Sequence, residues 1–254
     1  METPEEAAKR IFGARASFYT TSATHTDPAV LARVVELVRP ELGGLALDIG
    51  AGAGHTAFAL APHVACVVGL DLTAGMLREA GKLRAERPVP NVSFCVGDAH
   101  ALPFPEAAFS HITCRRAAHH FSDIRLALSE MKRVLRFGGR LAIDDRSVPE
   151  DDFVDACMND LDRCHDESHV RQYRPGEWRR MLRDIGLSVE AVEPYTQHRP
   201  IFSLTGGVSA ENVRRIYSRL NGLTGEQREK LNLREVGGQL HLTHWYVMLA
   251  AAKR

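Results

Sequence analysis

LALDIGAGAGHTAFAL, residues 45 to 60, decides how this chain folds. An apolar run ends at Asp48 and opens into Gly50, Gly52 and Gly54, after which a helical pattern begins. Physically this is a buried strand, a tight turn and a helix N-terminus. Glycine adopts backbone angles that other residues resist and lets a ligand approach the main chain closely. The helix N-terminus offers unpaired N–H groups and the positive end of a dipole to an electron-rich ligand. The stretch points to a nucleotide-like cofactor, and the glycine spacing decides which.

Working outward, apolar strand-like runs alternate with helical ones. Strands are expected at 45–49, 64–70, 92–96, 109–114, 140–145, about 187–194 and 242–251. Helices are expected at 29–39, 54–61, 73–86, 122–136 and 175–185. Asp27 and Pro28 suit the N-cap and first position of the helix at 29–39. Ser122 or Asp123 caps the helix at 122–136, and Gly138-Gly139 is read as its end. Alternation of this kind predicts a parallel sheet covered on both faces, with ligands beyond the carboxyl ends of the strands. Asp48, Asp71, Asp98 and Arg115 all fall at such ends. Three stretches stand outside the alternation: 1–27, 147–173 and 199–238. They carry helical pattern, as in AENVRRIYSRL and GEQREKLNLREV, and are read as cap elements over a core of 28–146, 174–198 and 239–254, all within one domain.

A chain of 254 residues is long enough for such a domain. Lys+Arg 32 balances Asp+Glu 32, which removes the electrostatic case for nucleic acid or an anionic membrane. The cysteines (Cys66, Cys95, Cys114, Cys157 and Cys164) are odd in number and scattered, with no CxxC spacing. Three lie in or beside core strands, where a free thiol acts as a small apolar group. The opening METPEEAAKR lacks an apolar signal-peptide segment. No apolar run reaches the roughly 18 residues of a membrane helix. A reduced, cytoplasmic protein is expected, monomeric or homodimeric.

The dinucleotide fingerprint needs G-x-G-x-x-G. Here the third glycine's place is His55, which disfavours an NAD-dependent oxidoreductase. The chain instead resembles the class I S-adenosylmethionine-dependent methyltransferases, chiefly over residues 28 to 145. LDIGAGAGHTA, VVGLDLTAGML, FCVGDAHALPFPEAAFS and AAHHFSDIRLALSEMKRVLRFGGRLAIDD match their motifs in order and spacing. Phe137 stands where the family usually has a proline. The nearest branch is the small-molecule one that includes ubiquinone and menaquinone biosynthesis methyltransferases. The resemblance implies a Rossmann-like α/β sheet of seven strands, the last antiparallel, with helices on both faces and a helical cap. It implies methyl transfer from S-adenosylmethionine to a small-molecule acceptor, leaving S-adenosylhomocysteine; a non-catalytic cofactor-binding sensor or partner subunit is the alternative.

Site roles follow from the resemblance. Gly50, Ala51, Gly52 and Gly54 let the backbone approach the cofactor. Asp48 orients that loop and attracts the cofactor's ammonium group. Asp71 accepts the ribose hydroxyls, Leu72 and Met76 sandwich the adenine, and Asp98 with the Ala99 N–H meets its edge. Arg115 presents backbone groups to the methionine part, and Tyr19 closes the site from the N-terminal cap. Each acidic residue has a plainer reading as a turn or cap residue. His120, or its neighbour His119, is the candidate general base, since imidazole titrates near neutrality. In DLDRCHDESHVRQY, His165 and His169 are four apart and would share a helix face. With Cys164 they invite a metal reading, but a solvated cap helix is preferred and no metal is expected. Tyr173, Trp178, Tyr195 and Trp245 read as packing residues. CRRAAHHF after the fourth strand lacks the Asn/Asp-Pro-Pro-aromatic motif of nucleic-acid amino-methylating enzymes. No membrane span and no nucleic-acid partner are expected.

Overall fold

The computed structural model describes residues 2–254. Eight strands form one sheet: β1 (Leu45–Ile49), β2 (Cys66–Asp71), β3 (Val92–Val96), β4 (Phe109–Arg115), β5 (Leu135–Ser147), β6 (Ser188–Pro200), β7 (Arg234–Val236) and β8 (Gln239–Ala252). Their order is β3-β2-β1-β4-β5-β8-β6, with the short β7 attached to β8. The first five strands pair in parallel, and β8 runs antiparallel between β5 and β6. This is the expected Rossmann-like sheet with its last long strand reversed. The strand order turns back between β1 and β4, so a crevice opens beyond their carboxyl ends.

Local chemistry explains the elements. All seven residues of β4 are buried, as a strand covered on both faces requires. Asp27 accepts hydrogen bonds from the Ala29 and Val30 N–H groups and starts the helix Pro28–Val38. That helix buries Val30, Val34, Leu37 and Val38 along one face. Asp123, rather than Ser122, caps the helix Ile124–Val134 through the Leu126 N–H at 3.0 Å.

Three expectations change. First, Gly138-Gly139 does not end that helix. The chain leaves it at Val134 and enters β5 directly, so the glycine pair lies inside the strand. The register against β4 shifts between Phe109 and His111, and a Cβ on Gly139 would lie 2.9 Å from the Ser110 carbonyl oxygen. The pair serves a β-bulge, where the partner strand comes too close for a side chain. Second, β6 and β8 run well past 187–194 and 242–251. Pro194 and Pro200 do not stop β6, because it is an edge strand and its prolines need no donor on that side. Third, GEQREKLNLREV is helical only over Gly225–Lys230. Its end is β7, which turns through Gly237 and Gly238 into β8 as a tight hairpin.

Two cores cover the two faces of the sheet. One holds Leu47, Ile112, Leu128, Met131, Leu141 and Trp178; the other holds Val34, Leu37, Ala46, Val67 and Ala250. A third lies apart, among the helices Asp152–His165 and Ala210–Asn221, and includes Met158, Leu161, Ile216, Leu220 and Leu231.

Leu128 is fully buried, while Leu126 on the same helix is 46% exposed. Leu128→Ala is expected to destabilise the fold by about 2–5 kcal/mol in urea denaturation. Leu126→Ala should stay within about 0.5 kcal/mol.

Candidate functional site

The crevice beyond β1 and β4 is a narrow cavity floored by the glycine turn. Gly50 has φ 66°, and a Cβ there would collide with the side chain of Ala117 on the segment after β4. Only glycine fits where these two chain segments cross. The turn is held from β2. The Gly52 N–H donates to Asp71 Oδ2 at 2.8 Å, and the Thr73 N–H donates to Asp71 Oδ1 at 2.8 Å. The Ala51 N–H reaches the Leu70 carbonyl at 3.0 Å. Asp71 is buried, and that burial raises its pKa above the ordinary carboxylate value. Each of its oxygens keeps a lone-pair direction for a further donor.

Tyr19, Gly50, Ala51, Gly52, Asp71, Leu72, Met76, Asp98, Ala99, Arg115 and His120 all line this cavity. Asp98 Oδ1 accepts from the His100 N–H and ring Nδ1, at 2.9 and 2.7 Å. The Ala99 N–H takes part in none of the chain's turn hydrogen bonds. Arg115 contributes its side chain as well as its backbone: Nε donates to Thr56 Oγ1 at 2.9 Å and Nη2 to the His25 carbonyl at 2.7 Å. Its Nη1 is buried with no partner among the described residues. Tyr19 belongs to the helix Pro4–Thr21, and burial pushes its phenol up to about 12.

Two expected residues lie behind the wall. Gly54 is closed off by Phe58 and Phe94. Asp48 is buried beneath the turn, where Oδ1 accepts from Thr113 Oγ1 at 2.8 Å and Oδ2 has no partner. Burial raises its pKa to about 7. His55, in the place of the missing dinucleotide glycine, bonds through Nε2 to the Tyr19 carbonyl at 3.0 Å. It thereby ties the N-terminal helix to the turn.

A second chamber of about 580 Å³ adjoins the first. Phe12, Tyr19, His25, Arg116 and His120 line both. The His120 Nδ1 faces the Ser168 carbonyl and hydroxyl at 3.1 and 3.0 Å. The Ser168 hydroxyl proton goes to Asp166 at 2.6 Å, so Nδ1 is the donor and Nε2 holds the free lone pair. His119 Nδ1 pairs with Asp145 at 2.5 Å, and burial holds its pKa well below the usual value.

Arg116 follows the last residue of β4, and its φ of 56° is left-handed. Its Nε reaches Asp144 at 2.9 Å, Nη2 reaches the Tyr195 hydroxyl at 2.8 Å, and the guanidinium lies 3.8 Å from the Tyr246 ring centre. Arg146 pairs with Asp162 at 2.8 Å. Sequence reading passed over His25, Arg146 and Tyr246. The acidic pair Asp144-Asp145 at the end of β5 was the available signal.

His165 and His169 do not share a helix face. The helix ends at His165, which bonds to the Leu204 carbonyl at 2.9 Å, and His169 turns back to Asn159 at 3.0 Å. Among the described residues no group of three or more His, Cys, Asp or Glu side chains is placed to hold a metal ion.

Residues 47–143 match the family model for a methyltransferase domain. The chain is 41% identical over 187 residues to an uncharacterised methyltransferase, YcgJ, of Bacillus subtilis, spanning 72% of this chain and 73% of that one. It is 40% identical over 114 residues to a demethylmenaquinone methyltransferase of Thermotoga maritima, spanning 44% of this chain and 47% of that enzyme. The crystal structure of the Bacillus subtilis YcgJ protein superposes with a TM-score of 0.84 at 34% identity, over 89% of this chain and 98% of that one. A putative methyltransferase from Bacillus halodurans gives the same TM-score at 28% identity, over 89% and 99%.

The raised pKa of Asp48 has a definite sign in stability. The folded chain keeps this proton up to about pH 7, whereas an unfolded chain releases it near pH 4. Folding therefore takes up a proton between these values, and this group's contribution to stability falls as pH rises from about 4 to 7. Asp48→Asn should make the fall in denaturation midpoint across the same pH range shallower, with Asp71 and Asp145, also raised by burial, keeping part of it.

Proposed function

This chain belongs to the class I S-adenosylmethionine-dependent methyltransferases, in the branch resembling the ubiquinone and menaquinone biosynthesis enzymes, and on that premise we propose that it methylates a small molecule. S-adenosylmethionine would occupy the narrow cavity, and the acceptor the adjoining chamber. The observation carrying this reading is that the two spaces meet at Phe12, Tyr19, His25, Arg116 and His120, with the glycine turn and Asp71 flooring the first.

The residues present suit the cofactor. Asp71 has acceptor capacity for a ribose diol after gripping Gly52 and Thr73. Asp98 and the Ala99 N–H offer an acceptor and a donor to an adenine edge, between Leu72 and Met76. The unpartnered Arg115 Nη1 suits a carboxylate. Gly50, Ala51 and Gly52 supply backbone at close range, while Gly54 shapes the turn from behind. Asp48, beneath that turn, places a titratable acid under the cationic end of the ligand. When bound, the cofactor supplies an electrophilic methyl on a positive sulfonium and departs as a neutral thioether.

The protein's work is alignment and exclusion of water. Positioning of two reactants is worth on the order of 7–11 kcal/mol in the best cases. No protein nucleophile is needed. Where the acceptor atom carries a proton, His120 Nε2 at the junction takes it. His119, oriented by Asp145, stands beside it with the rings 4.0 Å apart. The free volume of the first cavity, about 130 Å³, is below that of typical ligand pockets. The helix carrying Phe12 and Tyr19 walls the cavity on the side it shares with the adjoining chamber. Residues 1–27, 147–173 and 199–238 act as the cap, over a core of 28–146, 174–198 and 239–254. No helix among the described residues is long and apolar enough to cross a membrane. All five cysteines are unpaired, which fits a reducing cytoplasm.

Asp71→Ala should weaken S-adenosylmethionine binding at least ~tenfold in calorimetry, about 1.4 kcal/mol. Unchanged affinity in a folded variant excludes the ribose role. His120→Ala should leave cofactor affinity within a few-fold while slowing methyl transfer roughly 100-fold or more. The readout is mass spectrometry of a metabolite extract incubated with methyl-labelled cofactor, and full labelling by the variant removes His120 as the base.

A further inference from the structure

We propose that the second chamber selects an acceptor bearing a single organic anion, a carboxylate or its equivalent, seated between Arg199 and the Tyr246 hydroxyl. This rests on the methyltransferase reading above and names its substrate class.

Four guanidiniums, Arg15, Arg116, Arg146 and Arg199, and two carboxylates, Asp162 and Asp166, line the chamber. Arg116 is spent on Asp144, which lies behind the wall, and Arg146 is spent on Asp162. Asp166 is engaged by the Ser168 N–H and hydroxyl. Neither Arg15 nor Arg199 has a carboxylate within ion-pair distance among the described residues. Arg15 donates to the Gly207 carbonyl, and Arg199 Nη1 donates to the Tyr246 hydroxyl at 3.3 Å. After the pairs cancel, the wall retains two cations against Asp166, a surplus of one.

The Tyr246 hydroxyl accepts from Arg199 and donates to no protein atom among the described residues, so its proton is available to a ligand oxygen. Guanidinium and phenol donors converging on one oxygen set are a charge-assisted carboxylate seat. Two of the nearby histidines, His244 and His169, do not supply competing charge. Burial, reinforced by Arg146 and its neighbours, holds His244 and His169 well below their usual pKa, so they stay neutral. Tyr246 registers the same field: burial opposes its ionisation, yet Arg116, Arg146 and Arg199 outweigh that and draw its pKa below the usual phenol value.

The chamber also has apolar walls. Phe18 and Phe202 line it and are 64% and 73% exposed, which makes a greasy mouth for the body of the ligand. Arg116 reaches both cavities and stacks on Tyr246, so the anion sits one side chain away from the junction where the methyl group crosses.

The test uses the full chain saturated with S-adenosylhomocysteine. Calorimetric titration compares 1-naphthoate with its neutral counterpart 1-naphthamide. The acid should bind at least ~tenfold more tightly, as expected for an anion meeting an unspent guanidinium. Arg199→Gln should bring the two affinities within about threefold without weakening the amide, Arg199→Lys should keep part of the preference, and Tyr246→Phe should reduce it. Equal affinities in the wild type, a preference that survives in Arg199→Gln, or no binding of the acid at millimolar concentration overturns the proposal. The preceding S-adenosylhomocysteine titration is scored separately: if that ligand does not bind, the methyltransferase reading fails, whereas failure of naphthoate alone removes only the anion seat.

Discussion

The closeness of two chain crossings governs this molecule. The turn leaving β1 lies against the segment leaving β4 so tightly that a single methyl group on Gly50 would strike Ala117. Strand order reverses at the same place, and helices depart to opposite faces. Contact at the base with divergence above opens a crevice. Asp71 then fixes its shape, because one carboxylate binds the turn through Gly52 and the start of the next helix through Thr73. The backbone of three successive strand ends is thereby set before any ligand arrives.

Much of this was legible in the residues. Strands covered on both faces are continuous apolar runs, and acids at their ends mark where the runs meet water. β1 and β3 fall at the expected residues, and ten of the site residues anticipated for the cofactor line one cavity, with His120 among the remaining walls. What escaped depends on neighbours across the sheet. The glycine pair in β5 resembles a helix stop until Ser110 is seen beside it. Prolines in β6 forbid a strand only if that strand is internal. The chamber was harder still, because its groups are far apart in sequence. Arg146 faces Tyr246 through the β5–β8 pairing, and Arg199 reaches it through the β6–β8 pairing. No local pattern announces that β8 inserts between β5 and β6.

Arg116 and Asp144 are almost wholly buried, and removing such charges from water offsets most of their attraction. Their value is therefore geometric. The pair, with Tyr195 bridging to Asp144 at 2.7 Å, pins a guanidinium over the Tyr246 ring at the junction of the two spaces. Beside it, the Nδ1 atoms of His120 and His119 are already committed to Ser168 and Asp145.

The third hydrophobic core shares no residue with the two that cover the sheet. Its helices arise in the connections that follow β5 and β6, and they pack on one another and on Leu242 of β8. A substitution there reshapes the chamber without disturbing the crossing at Gly50. Descendants of such a chain can thus change at two speeds, with a slow frame that keeps one common reagent and a fast insert that trades one client molecule for another.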